Sequence, residues 1–134
     1  VSAIRLIMAQ RLVRRLDDSS KEAYSPDEKT LDGLRRIIDS LPPGFDRPDL
    51  TNVQLYKPGS SPDNPYGYTG QIALREQFTM TGEIRALLEH GGQPSAQEIE
   101  HAAIQSGMLT MLQDGVLRAL RGETSLEEVL RVVG

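Results

Sequence analysis

AIRLIMAQRLVRRL, residues 3–16, is the stretch whose reading decides the fold class. Ile4, Ile7, Met8, Leu12, Val13 and Leu16 recur at the spacing of a helix face, and the first half is apolar on most sides. A helix there needs burial on more than one face. Its second half carries Arg11, Arg14 and Arg15, which at helical spacing share one edge, and Asp17 and Asp18 come directly after.

Working outward, Ser25-Pro26-Asp27-Glu28 reads as a helix start. The Ser25 hydroxyl can accept the Glu28 amide, Pro26 suits the first helical position, and Glu28 can reach back as in a capping box. Leu31, Leu34, Ile38 and Leu41 then line one face until Pro42-Pro43-Gly44 stops the helix. Residues 45–66 are rich in Pro, Asp, Asn, Ser and Gly, with Val53 and Leu55 marking a short strand. Residues 70–78, GQIALREQF, give a second strand, and the two suggest a long hairpin. Beyond Thr79 the pattern is helical throughout. Thr81 caps a helix with Ile84, Leu87 and Leu88 that ends at Gly91-Gly92, and Ser95 and Glu98 box the start of one with Ile99, Ala102 and Ala103. Residues 110–122 place Leu112, Val116, Ala119 and Leu120 on one side, and Ser125 and Glu128 cap a final helix with Leu126, Val129, Leu130 and Val133. Asp114-Gly115 alone would signal a hairpin turn, but the flanking helical period overrules it. Gly115 then either receives a closely packed neighbour or is a tolerated weak point of about 1 kcal/mol. The expected fold is mainly α with a small β element, an α+β chain.

Composition narrows the function classes. A net charge of −4 over 134 residues, with no basic domain face, points away from nucleic acid. The absence of cysteine removes disulfides, thiolate metal sites and thiol nucleophiles. No apolar run approaches a bilayer span. The chain opens inside an apolar pattern without an initiator Met or a signal-peptide cleavage site, so it is expected to be a fragment of a longer protein. There is no GxxxxGK[ST] phosphate loop, nor even a Gly-Lys pair, so ATP hydrolysis by this segment alone is not expected.

Other candidate chemistry is sparse. His90 and His101 have no partner at metal-binding spacing and read as surface residues. Asp17-Asp18 and Glu127-Glu128 are adjacent carboxylates that diverge on a helix, and first-turn acids favouring the helix dipole account for Glu127 and Glu128. No Ser-His-Asp constellation can be assembled, and no catalytic or cofactor-binding residue is assigned. With twelve Arg against three Lys, the cations favour fixed bidentate pairing. Arg11, Arg14 and Arg15 form the densest positive edge and are the interface candidates. They would meet acidic residues of a neighbouring subunit or a phosphate, or else be solvated or paired with Asp17, Asp18 and Glu22.

Three segments in order, AQRLVRRL (9–16), PYGYTGQIALRE (65–76) and SGMLTMLQDGVLRALRGETSLEEVLRV (106–132), resemble the C-terminal end of the motor ATPases of type II secretion and type IV pilus assembly. The resemblance implies that residues 1–16 are the terminal helix of a RecA-like nucleotide-binding core. Residues 17–78 would be a degenerate metal-module-like insertion with a β-hairpin, and residues 79–134 a C-terminal helical subdomain. Many members of that family carry a four-cysteine zinc module, whose positions here read Asp17, Ser20, Ser60 and Asp63, so zinc is not expected. Gly67 and Gly70 would hold the turn into the second strand. The resemblance further implies the C-terminal part of a cytoplasmic, ring-forming hexameric ATPase, peripheral to the inner membrane. Such a part would relay motion to secretion or pilus platform proteins, while ATP and Mg are used by the parent chain through a phosphate loop lying before Val1. The alternative is a stand-alone interaction or adaptor module without ATPase activity; a small-molecule enzyme has no supporting residues.

Overall fold

The computed structural model describes residues 6–42, 45, 47–78, 97 and 109–133. Its organising feature is a long antiparallel ribbon of β1 (Leu6–Leu16) and β4 (Tyr68–Phe78). Between these strands the chain makes an excursion through β2 (Glu22–Tyr24), α1 (Glu28–Asp39) and β3 (Leu55–Lys57), with β2 and β3 forming a second antiparallel pair. Two helices close the described chain, α2 (Met111–Leu120) and α3 (Leu126–Val133).

The ribbon overturns the mainly helical expectation. Residues 6–16 are a strand, not the terminal helix assigned to residues 1–16, and among the described residues two antiparallel sheets stand beside three helices. The physical reason is that a short apolar run at helical spacing can also be paired as a strand, and only a partner decides. Here the partner is β4, which pairs with β1 from Leu6↔Phe78 to Leu16↔Tyr68. Its ladder hydrogen bonds outweigh the local helix preference. The register shifts twice. Met8 is an extra residue on β1, and Thr69-Gly70 on β4 together face Arg15. Gly70 has φ +73°, the left-handed conformation such a bulge requires.

The expected hairpin is also replaced: the strand containing Leu55 pairs with β2, and residues 70–78 pair with β1. At the start of α1 the cap is Asp27 in place of Ser25, its carboxylate accepting the Thr30 amide at 2.8 Å. The helices of residues 81–92 and 95–103 and the two histidines lie outside the described residues, apart from Gln97, which is helical.

One core joins these elements. Val13 of β1, Ile72 and Leu74 of β4, Leu34, Ile38 and Leu41 from α1 and its end, Leu55 of β3, Met111, Val116 and Ala119 of α2, and Leu126 and Val129 around α3 are all buried together. Each large side chain so buried contributes about 1.5–3 kcal/mol. Gly115 is buried between β4 and α3: a methyl group there would meet Val129 Cγ1 at 2.5 Å and Leu74 Cδ1 at 3.1 Å. Of the two readings of Gly115, close packing is the one that holds. The last turn of α1 is tied to the first of α2 by Gln113 Nε2, which donates to the Ser40 carbonyl and hydroxyl at 3.0 Å each.

Candidate functional site

The densest polar arrangement among the described residues lies where the α2–α3 turn meets β1. It begins with Gly122, whose φ of +79° lets α2 end with the Gly122 amide on Ala119 O and the Glu123 amide on Arg118 O, a Schellman closure. That closure turns residues 123–128 along the outer edge of β1. Glu123 O accepts the Leu16 amide at 3.0 Å, Thr124 Oγ1 donates to Arg14 O at 2.7 Å, and Glu128 Oε2 accepts the Arg14 amide at 2.8 Å. Backbone groups of an edge strand otherwise open to solvent or to another chain are thereby satisfied.

Glu128 is the centre of the cluster. Its side chain is 1% exposed, yet it receives the Arg14 guanidinium at 2.9 and 3.1 Å and the Arg131 guanidinium at 2.9 and 3.0 Å. Burial alone would raise its pKa, but the hydrogen bonds from Arg14 and Arg131 and the Arg14 amide win and hold it at about 2. The carboxylate therefore stays charged at neutral pH. Arg14 also lies 4.3 Å from the centre of the Tyr68 ring, and the Tyr68 hydroxyl is 2.9 Å from Ser125 Oγ, which accepts the Glu128 amide as the cap of α3. On the opposite edge of the ribbon Asp114 of α2 accepts the Arg75 amide of β4 at 3.3 Å. Two helix-borne carboxylates thus cover one edge each.

A second cluster joins the turn after β1 to the turn before β4. Asp17 Oδ1 accepts the Ser19 amide at 3.0 Å and hydroxyl at 2.7 Å, and Oδ2 accepts Asn64 Nδ2 at 3.1 Å. These donors hold the Asp17 carboxyl below its usual range. Asn64 Nδ2 also donates to Tyr68 O at 2.8 Å, its Oδ1 accepts the Gly67 amide at 3.3 Å, and the Asp17 amide reaches Gly67 O at 2.9 Å. Gly67, with φ +76° and the Gly59 backbone against it, has no room for a side chain. Lys21 links this knuckle to the α2–α3 turn: its Nζ donates to Gly122 O at 3.1 Å and to Asp18 at 2.8 Å.

Asp17, Ser20, Ser60 and Asp63, which the resemblance would align with zinc ligands, sit in or beside these turns, and their donor set is a poor fit for zinc. Structural zinc is held by thiolate and imidazole, whereas these are two carboxylates and two hydroxyls, and both oxygens of Asp17 are already hydrogen-bonded within the protein. Ser60 and Asp63 are exposed, and Ser20 Oγ is buried with no hydrogen-bond partner among the described residues. Among the described residues no three His, Cys, Asp or Glu side chains come together as a metal site.

The three arginines expected to form an interface edge do not share one edge, because they lie on a strand. Arg14 is bound to Glu128, Arg11 donates to the Gln10 carbonyl at 3.0 Å, and Arg15 is exposed beside the Gly70 bulge. Glu128, Asn64, Asp114 and Lys21 are not legible as partners in the sequence. The available signal is the Glu128–Arg131 spacing of three on a helix; nothing local announces Arg14, 114 residues away.

The arrangement is a two-stranded ribbon whose edges are capped by carboxylates carried on two helices. The chain matches the family described as Type II/IV secretion system protein over residues 1–131, and it is a member of that family. It is 42% identical to the type II secretion system protein E of Xanthomonas campestris pv. campestris over 134 residues, covering 98% of this chain and 21% of that protein. The type IV pilus assembly ATPase PilB of Thermus thermophilus is 37% identical over 125 residues, 92% of this chain and 13% of that protein. PilB of Acinetobacter baylyi is 30% identical over 133 residues, 98% of this chain and 21% of its own length. The chain therefore spans about a fifth, or less, of the length of these curated relatives.

Proposed function

We propose that these residues are the C-terminal part of a ring-forming ATPase that powers type II protein secretion or type IV pilus assembly, and that they relay movement in place of performing hydrolysis. The observation that carries this reading is the match to secretion and pilus ATPases over residues 1–131 in a sequence that contains no phosphate loop. ATP and Mg are used by the longer protein, at residues outside this sequence. The Glu128 junction suits a relay, since it fixes α3 to β1 while Lys21 fixes the knuckle to the same turn. Rigid elements so joined move as one body. The part would work at the cytoplasmic face beside membrane platform proteins; no described helix is long and apolar enough to cross a membrane. Arg11 and Arg15 remain the candidates for contact with a neighbouring subunit of the ring.

The test is the activity of two proteins. The 134-residue chain is expected to show no ATP hydrolysis above a mock purification, whereas the product of the complete reading frame hydrolyses ATP and forms rings. Turnover by the 134-residue chain, or a complete frame without a phosphate loop, overturns the assignment.

A further inference from the structure

Strand alternation builds a second face on the ribbon, turned away from the core. Val13, Ile72 and Leu74 point inward, so the pairs Gln10↔Arg75, Leu12↔Ala73 and Arg14↔Gln71 point the other way. None of those six residues is acidic. Leu12, 50% exposed, and the half-buried Ala73 lie between Arg75 at one end and Arg14 at the other. The carboxylates that touch these two arginines are also answered from their own helices, Glu128 by Arg131 and Asp114 by Arg118. The face is therefore positive around an apolar centre, in a chain whose overall charge is −4. The knuckle has the opposite character. Tyr66 is 81% exposed at a turn that Asn64 and Gly67 hold in place, Asp63 is exposed beside it, and the Asp18 side chain in the joined turn is 76% exposed.

We propose that the occupant of this face is a second copy of the chain: the knuckle of one subunit sets Tyr66 on Leu12 and Ala73 of the next, with Asp63 and Asp18 toward Arg14 and Arg75. The proposal rests on the reading that this chain is part of a ring-forming ATPase. Charge complementarity carries it, since an aromatic flanked by acids meets an apolar centre flanked by cations. Tyr66 suits an anchor because its turn is already fixed, so little freedom is lost when it docks. Face against face would oppose Arg14 and Arg75 of both copies, and knuckle against knuckle would oppose their aspartates; both pairings repel. Knuckle and face are different surfaces of one chain, so the contact is head-to-tail, the kind that generates a ring when the rotation closes.

The experiment uses the product of the complete reading frame carrying Tyr66→Cys together with Ala73→Cys, treated with a short bis-maleimide and compared with each single variant. Within one chain the two positions are too far apart to bridge, since residues 68–73 alone span roughly 16 Å of strand. A ladder of linked chains longer than two, present with both cysteines and absent with either alone, is expected. In sedimentation, Tyr66→Ala and Arg75→Glu, both at exposed side chains, should each weaken assembly about tenfold. No ladder, with Arg75→Glu assembling like wild type in a protein that hydrolyses ATP, overturns the proposal and leaves the ATPase reading standing. A product that stops at two chains overturns the head-to-tail contact. A ladder from a complete frame without a phosphate loop supports the contact and sinks the ATPase reading.

Discussion

Two carboxylates, Glu128 and Asp17, pin distant segments of the chain to the Leu16–Tyr68 end of one ribbon, and they do it by different physics. Glu128 is buried and faces two guanidinium groups; Asp17 is partly exposed and faces a serine and an amide. A buried charge without its counter-charges is costly, while an exposed one is already served by water. The difference teaches that the α3 junction commits the fold and the knuckle adjusts it. If that contrast is right, the same truncation at the two sites must have unequal effects.

The largest effect is expected at Glu128. Glu128→Ala orphans the Arg14 amide and two guanidinium groups, and should cost about 3 kcal/mol in urea unfolding. Arg14→Ala should also destabilise, but less, because Arg131 still neutralises Glu128. A loss below about 1 kcal/mol for Glu128→Ala would place the two carboxylates in one class and break the comparison.

Whether charge or packing seats α3 is sharpened at Gly115. A methyl group there meets Val129 of α3 and Leu74 of β4, both fully buried, so the seat must open or strain. Gly115→Ala gains helix propensity of about 1 kcal/mol and loses more to overpacking, for a net loss of about 2 kcal/mol. Stabilisation by Gly115→Ala would show that the seat yields and that the charge clasp alone positions the helix.

The acid response tests the clasp through its one buried carboxylate. Glu128 titrates at about 2 in the folded chain and near its ordinary 4.5 when unfolded, so its contribution is complete above about pH 4.5 and is lost as pH falls toward 2. With both arginines half-exposed, about 2 kcal/mol of stability should vanish over that window. Glu128→Gln should flatten that part of the curve, and an unchanged curve in the variant would remove Glu128 from the account.

Legibility in the sequence tracks the range of the interactions. α1, α2 and α3 are readable because each carries an apolar face and a local cap, and the Ser125 cap of α3 is where the pattern puts it. The family is readable because residues 9–16, 65–76 and 106–132 keep their order. β1 is not, since Leu12 and Val13 satisfy a helical period as well as a strand, and its partner begins at Tyr68. The Glu128 clasp is hidden for a related reason: an acid in the first turn of a helix already has a local explanation, so nothing demands a partner across the chain. Asn64 is inconspicuous because, in a loop rich in turn-forming residues, an asparagine already has a local role in the turn.

The smallest effect is expected at that asparagine. Asn64→Ala removes the donor to Asp17 and Tyr68 and the acceptor of the Gly67 amide, all at a partly exposed site. Solvent replaces part of what is lost, which limits the cost to about 1 kcal/mol. The same site tests whether the knuckle is held by hydrogen bonds alone. Chelator should leave the thermal midpoint of the wild-type protein unchanged, and metal analysis should find no stoichiometric zinc. If chelator lowers the midpoint and Asn64→Ala does not, a metal holds the two turns together, and the contrast between a carboxylate held by counter-charges and one held by neutral donors disappears.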